Sequence, residues 1–124
     1  MTMSNSILLY VKDAAASGRY YERILGQKPV EASPTFVIFV LKSGLGLGLW
    51  GRDGVEPAPS VPGGGSEIGF KVDSVAEVDQ WHAEWRANGA AILMPPTALD
   101  FGRSFVATDP DGHRLRVYTV TDGG

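Results

Sequence analysis

The stretch 101-FGRSFVATDPDGHRLRVYTV-120 decides the fold. A turn, DPDG at residues 109–112, lies between two runs in which apolar and polar residues alternate. Such alternation is typical of strands with one face buried and one face open, so the stretch predicts a β-hairpin. Because an Asp-Pro-Asp-Gly turn satisfies its own backbone polar groups, we interpret Asp109 and Asp111 as turn residues rather than as a catalytic pair.

The second strand of this hairpin divides its side chains between two faces. Arg114, Arg116 and Tyr118 lie on one face, and Leu115, Val117 and Val120 are predicted largely on the other. The apolar face is expected to join the core. The opposite face could line a pocket, although it carries no acid or histidine for chemistry.

The pattern of this half of the chain also occurs in the first half. A short apolar strand, a helix and strand-like runs follow one another twice, and Val11, Gly26 and Gly44 match Val72, Gly89 and Gly112. The segment 56-EPAPSVPGGGS-66 between the halves has the composition of a linker. We therefore predict an α+β fold in which two tandem βαβββ modules form a curved mixed sheet around a cleft, with the helices outside. The expected organisation is a single domain, 1–124, built of repeats at about 5–52 and 66–121.

Period-two alternation identifies the strand positions that face away from the helices and are open to a ligand. Glycines at such positions clear space for a flat ring, and an indole beside them is a good stacking surface. In helix two, Val75, Val78, Trp81, His82 and Trp85 are predicted on the packed face, so we interpret the two tryptophans as packing against the sheet or a partner subunit and His82 as structural. The predicted ligand-binding residues are Tyr10, Phe36, Gly46, Gly48, Trp50, Glu67, Lys71, Phe101, Arg103, Arg116 and Tyr118.

Composition excludes several classes of function. The 124 residues contain no cysteine, so disulfides, thiolate nucleophiles and zinc–thiolate sites are excluded. The net charge is −3 and no Lys/Arg cluster is present, which argues against binding to nucleic acid. No apolar run is long enough to cross a membrane, and MTMSNS at the start lacks the pattern of a signal peptide. A cytoplasmic protein is expected.

The chain resembles the vicinal oxygen chelate superfamily, which includes glyoxalase I, extradiol dioxygenases and bleomycin-resistance proteins. The matching segments are YVKD, RYYERILG, FKVDS and DPDGHRLRV, which span nearly the whole chain. Within the superfamily, the chain is similar to the antibiotic-sequestering branch in the segments FGR, SF and DPDGH followed by RV. This resemblance implies that the protein binds a phenazine-like drug without a metal.

Enzymes of the superfamily hold a divalent metal with His, Glu or Gln side chains. The resemblance carries these positions onto Ser6, Gly48, Glu67 and Arg116, of which only Glu67 could bind a metal. We therefore expect no metal, no cofactor and no catalysis. The expected function is sequestration of a planar aromatic antibiotic by a homodimer with sites at its interface. The alternative is a metal-dependent glyoxalase- or dioxygenase-type enzyme of the same superfamily. A third interpretation is a small-molecule sensor or accessory subunit.

Overall fold

The structure is a computed structural model, and it describes residues 2–121. The chain divides into two compact units, Met1–Gly63 and Gly64–Gly124, and each unit contains one βαβββ module. The predicted α+β fold of two tandem modules is confirmed, and each module has its own four-stranded mixed sheet. The expectation that the chain forms a single domain stays a prediction.

The first unit pairs its first strand with its last. Strands β1 and β4 are parallel, whereas β3 is antiparallel to both β4 and β2, which gives the order β1-β4-β3-β2. The two-residue β2 is too short to leave a periodic signal, so the predicted βαβββ pattern includes a strand here but the sequence did not locate it. The elements are β1 Ser6–Val11, α1 Ala14–Leu25, β2 Glu31–Ala32, β3 Phe36–Val40 and β4 Gly46–Gly51.

The second unit repeats this arrangement in the order β5-β8-β7-β6, with β5 parallel to β8. Strand β6 runs through Pro95 and Pro96. Proline is tolerated there because β6 is an edge strand, and its pairing with β7 shifts register around Met94. The elements are β5 Glu67–Lys71, α2 Val75–Ala87, β6 Ala91–Leu99, β7 Gly102–Thr108 and β8 Arg114–Tyr118.

Local signals in the sequence set both ends of the helices. The Asp13 carboxylate accepts a hydrogen bond from the Ala16 N–H over 3.0 Å, and the Ser74 hydroxyl accepts one from the Glu77 N–H over 3.2 Å. Helix α1 stops at Gly26, whose φ of 68° is left-handed. These caps fix where each helix leaves the strand before it.

Each helix lies against one face of its own sheet and leaves the other face open. In the first unit, Phe39, Leu47 and Leu49 are buried beneath α1 with at most 1% exposure. In the second unit, Trp85 of α2 packs edge-on against Phe105 of β7 at 5.4 Å between ring centroids. Burying a side chain of this size stabilises the fold by about 1.5–3 kcal/mol.

One of the two tryptophans of α2 is placed differently. Trp85 is 3% exposed, as predicted, but Trp81 is 38% exposed, so it does not pack against the sheet, and its contact with a partner subunit stays a prediction. Val78, His82 and Trp85 form one narrow stripe along α2. Trp81 is rotated about 60° from Val78 around the helix axis, on the side away from His82. The stripe of α2 that contacts the sheet is therefore narrower than predicted, and Trp81 lies at the edge of that stripe.

The DPDG turn has the predicted backbone role. The Asp109 Oδ1 atom accepts hydrogen bonds from the N–H groups of Asp111 and His113, each over 2.9 Å, and Asp109 is buried. This carboxylate therefore closes the hairpin between β7 and β8.

Candidate functional site

The open face of the second sheet carries a groove of about 470 Å³. Of the predicted ligand-binding residues, Glu67, Phe101, Arg116 and Tyr118 meet there. Period-two alternation also places Gly69 on this face, whereas the sequence did not predict Leu99 and Val120 here. The lining residues, called here the second-sheet groove, are Glu67, Gly69, Leu99, Phe101, Arg116, Tyr118 and Val120.

An ion pair forms the polar end of this groove. Arg116 donates from Nε to Glu67 Oε1 over 2.6 Å and from Nη2 to Glu67 Oε2 over 3.2 Å. Its Nη1 atom donates to the Ser104 Oγ over 2.9 Å. The side chains of Arg116 and Glu67 are 19% and 37% exposed, so the pair is reachable from the groove. The sequence left open whether Arg116 pairs with Glu67 or contacts a ligand, and the structure shows the pairing with Glu67.

Aromatic and aliphatic side chains form the rest of the groove. The Tyr118 ring lies over Gly69, where an added Cβ would come within 3.1 Å of Tyr118 Cε1. Phe101 meets Tyr118 edge-on at 6.0 Å between centroids and is 38% exposed. Leu99 and Val120 are exposed beside them. The groove is therefore apolar along most of its length. At one end it carries two opposite charges, Glu67 and Arg116, that are paired with each other.

Two predicted basic residues lie outside the groove. Lys71 is exposed at the end of β5, in register with Tyr118, and does not line the groove. The placement of Arg103 with Arg116 is wrong, because Arg103 Nε donates to Asp79 Oδ1 of α2 over 2.9 Å. Arg103 is separated by two positions from Phe105, which faces α2, so alternation places both on the helix side.

Val120 also differs from its prediction. It was expected largely on the core side with Leu115 and Val117, but it is 55% exposed and lines the groove. Strand β8 ends at Tyr118, and Val120 is separated by two positions from Tyr118. It keeps the same side as Tyr118 because the chain remains extended beyond the strand.

The open face of the first sheet carries three predicted aromatic residues. Tyr10, Trp50 and Phe36 lie side by side on β1, β4 and β3, because their Cα atoms are in register across the three strands. Trp50 meets the ring of Tyr10 at 6.3 Å and that of Phe36 at 6.5 Å, in both cases edge-on. We call these three residues the first-sheet cluster. Tyr10 is 37% exposed, so part of this cluster is accessible.

The glycines beside this cluster do not form an empty floor. A Cβ at Gly48 would come within 2.7 Å of Leu8 Cδ2 and 3.1 Å of Phe36 Cζ, and one at Gly46 would come within 3.1 Å of the Ser6 Cβ. Both glycines are buried. The expectation that they clear space for a ligand ring is wrong, because the chain's own side chains already occupy that space.

No metal centre is assembled in the part of the chain that the structure describes: within residues 2–121, no three His, Cys, Asp or Glu side chains group to hold a metal ion. Of the positions that the family resemblance implies, Glu67 has both carboxylate oxygens bound by Arg116. His82 lies on α2 with its ring edge-on to Phe105 at 5.3 Å. The donor set at Glu67 does not fit a divalent cation, because the adjacent charge is positive.

Comparison with known proteins assigns the family. The chain belongs to the glyoxalase/bleomycin resistance protein/dioxygenase superfamily, whose model matches residues 4–117. Neither helix in residues 2–121 combines the length and the apolar character that crossing a membrane requires.

Two relatives resemble it over almost their whole length. The phenazine antibiotic resistance protein EhpR of Enterobacter agglomerans is 32% identical over 116 residues, which cover 91% of this chain and 88% of EhpR. The solution NMR structure of protein ATC0852 from Agrobacterium tumefaciens is 50% identical, with a TM-score of 0.84 and coverage of 98% and 99%. Lactoylglutathione lyase from Agrobacterium tumefaciens shares the fold, with 23% identity, a TM-score of 0.74 and coverage of 96% and 94%.

Proposed function

We propose that this protein binds a planar aromatic antibiotic of the phenazine kind and confers resistance by sequestering it. The observation that carries the proposal is the 32% identity to the phenazine antibiotic resistance protein EhpR over 91% of the chain. Sequestration needs binding without turnover, so an open surface that is mainly aromatic and apolar, with few reactive groups, suits this function.

The geometry of both open faces supports the proposal. In the second-sheet groove, Phe101 and Tyr118 are perpendicular, with an interplanar angle of 88°, so a flat ring can stack on one and meet the edge of the other. The volume of about 470 Å³ is in the range of small-molecule sites. In the first-sheet cluster, Trp50 offers a second stacking surface between Tyr10 and Phe36.

We propose that the binding surfaces work without a metal and that the protein is not an enzyme. The metal positions implied by the family resemblance hold Ser6, Gly48, Glu67 and Arg116, and the Glu67–Arg116 ion pair engages the one carboxylate among them. A metal-dependent enzyme would need a donor set that these side chains do not supply. The alternative enzyme function is supported by membership of a superfamily that includes glyoxalases and dioxygenases and by the fold shared with lactoylglutathione lyase.

We further propose a cytoplasmic homodimer with the ligand held at the dimer interface. Exposed apolar side chains on the open faces support this, because they would be covered by a partner or a ligand. They are Leu8, Tyr10, Leu99, Phe101 and Val120.

A thermal-shift screen against planar antibiotics tests the function. A ligand that binds only the folded state raises the Tm by mass action, so phenazines should raise it in a concentration-dependent way. A neutral flat aromatic control without ring nitrogens, such as anthracene-1-carboxamide, reports on non-specific stacking. Absence of any shift with phenazines at saturating concentration would contradict the proposal.

A further inference from the structure

We propose that the Glu67–Arg116 ion pair makes the second-sheet groove select neutral planar ligands over carboxylates of the same shape. This inference rests on the proposed function, since it names the chemical class that the same groove accepts. It reverses the simplest interpretation of an arginine in a binding groove, which is that it attracts an anion.

The hydrogen bonds of the pair occupy the fork of Arg116 that Nε and Nη2 form. A guanidinium has five N–H donors, and in Arg116 one donor each from Nε and Nη2 goes to Glu67 and one from Nη1 goes to Ser104. A two-pronged bond to a second carboxylate through Nε and Nη2 would displace Glu67. An incoming anion would also meet the charge of Glu67 within the groove, and two adjacent carboxylates repel each other.

Other basic residues on this face do not restore attraction for an anion. Lys71 and Arg114 share the open face of the sheet, but both are exposed and neither lines the groove. Because these two side chains lie outside the groove, water and salt screen their charges more than the charge of Glu67 within it.

The donors and acceptors of the pair that are still unused suit a hydrogen bond to a neutral polar group. Arg116 keeps one unused N–H on each terminal nitrogen, and each oxygen of Glu67 has a further lone pair. A primary amide or a hydroxyl can accept a hydrogen bond from an unused N–H of Arg116 and donate one to an oxygen of Glu67. The class of ligand that fits is therefore a neutral planar heteroaromatic with one such group at its edge, and its rings lie against Phe101 and Tyr118.

A pair of probes that differ only in charge tests this selectivity. Phenazine-1-carboxamide and phenazine-1-carboxylate are titrated by calorimetry at neutral pH into the wild-type protein, Glu67→Gln and Glu84→Gln. Glu84 is an exposed residue of α2, so Glu84→Gln makes the same change of net charge away from the groove. The wild type should bind the carboxamide roughly tenfold more tightly, and Glu67→Gln should lose this preference through tighter binding of the carboxylate. Glu84→Gln should keep the wild-type ratio.

The outcomes separate this inference from the function on which it rests. Wild-type protein that binds both probes equally, with a ratio that Glu67→Gln leaves unchanged, overturns the selectivity and keeps the proposed function. Failure of both probes to bind contradicts the function and the selectivity together. If Glu67→Gln does not fold, Glu67→Ser tests the same point, because it removes the same charge and should also tighten binding of the carboxylate.

Discussion

Glu67 and Arg116 pair diagonally across two parallel strands. The Cα atom of Glu67 is in register with Arg114, and that of Arg116 with Gly69, yet the side chains of Glu67 and Arg116 join through two hydrogen bonds. The missing side chain at Gly69 leaves room for the Tyr118 ring beside the pair. A charged pair, an aromatic ring and a glycine thus define one end of the groove.

Replacing Arg116 by glutamate should destabilise the fold without creating a metal site. Two carboxylates would stand where an ion pair stands now, and Ser104 would lose its donor. Because Glu67 is partly exposed, the expected loss in the free energy of unfolding is about 1–2 kcal/mol. Urea denaturation measures it. Arg116→Gln should lose less, because it removes the attraction without adding repulsion.

The variant Arg116→Glu also tests whether a carboxylate at this position creates a metal site. The other positions implied by the family resemblance hold Ser6 and Gly48, so Arg116→Glu should still bind no divalent metal. Stoichiometric metal in this variant, or a variant as stable as the wild type, would contradict the account of the pair.

Trp50 should report ligand binding through its fluorescence. If a planar ligand stacks on the indole, the emission of Trp50 is quenched, and Trp50→Ala should cost about 1–3 kcal/mol of binding free energy, taking stacking of nucleic-acid bases on aromatic side chains as the guide. Trp81 and Trp85 also emit, so Trp50→Phe is needed to assign the quenching. Quenching that persists in Trp50→Phe, with unchanged affinity in Trp50→Ala, would place the ligand away from the first-sheet cluster.

Gly102 should be among the least replaceable glycines. Its φ is 149°, and an added Cβ would collide with the carbonyl oxygen of Thr119. Strain and overlap with the backbone together predict that Gly102→Ala loses about 3 kcal/mol or more. Gly65→Ala is the control, because nothing lies within 4 Å of its added Cβ and its φ is not left-handed. Thermal unfolding compares the two variants, and equal stability would contradict the described path of the chain.

This glycine also connects stability with the groove. It lies between Phe101 and Arg103, whose carbonyls accept hydrogen bonds from the N–H groups of Thr121 and Thr119, each over 3.0 Å. These bonds hold Phe101 beside Tyr118. Any Gly102→Ala protein that folds should therefore also bind phenazines more weakly.

Local sequence signals predicted the helices and the faces of most strands. Asp13 and Ser74 before the helices, and Gly26 after the first, act within a few residues of one another, so their effects are visible in the sequence. Period-two alternation likewise placed Glu67, Arg116 and Tyr118 on one face. Counting in twos from Phe105 would also have placed Arg103 on the helix side.

The side chains that meet in the site are determined by strand pairing, and the sequence does not show that pairing. Whether Gly48 is an empty floor depends on which residues of the neighbouring strands lie beside it; the register places Leu8 there, and the Phe36 ring reaches it diagonally from the position opposite Trp50. The Glu67–Arg116 pair joins residues 49 positions apart. Each contact is set by the pairing of whole strands, so composition and spacing could propose the residues but not their partners.

The most direct test of the central claim is calorimetric titration of phenazine-1-carboxamide into protein that has been treated exhaustively with EDTA. Binding to a metal-free open surface predicts saturable heat with a simple stoichiometry per chain, unchanged when Zn²⁺, Mn²⁺ or Fe²⁺ is added back. The far-UV circular dichroism and the Tm should also be the same before and after chelation. No heat of binding, or binding and turnover of the ligand that appear only after one of these metals is restored, would contradict the claim.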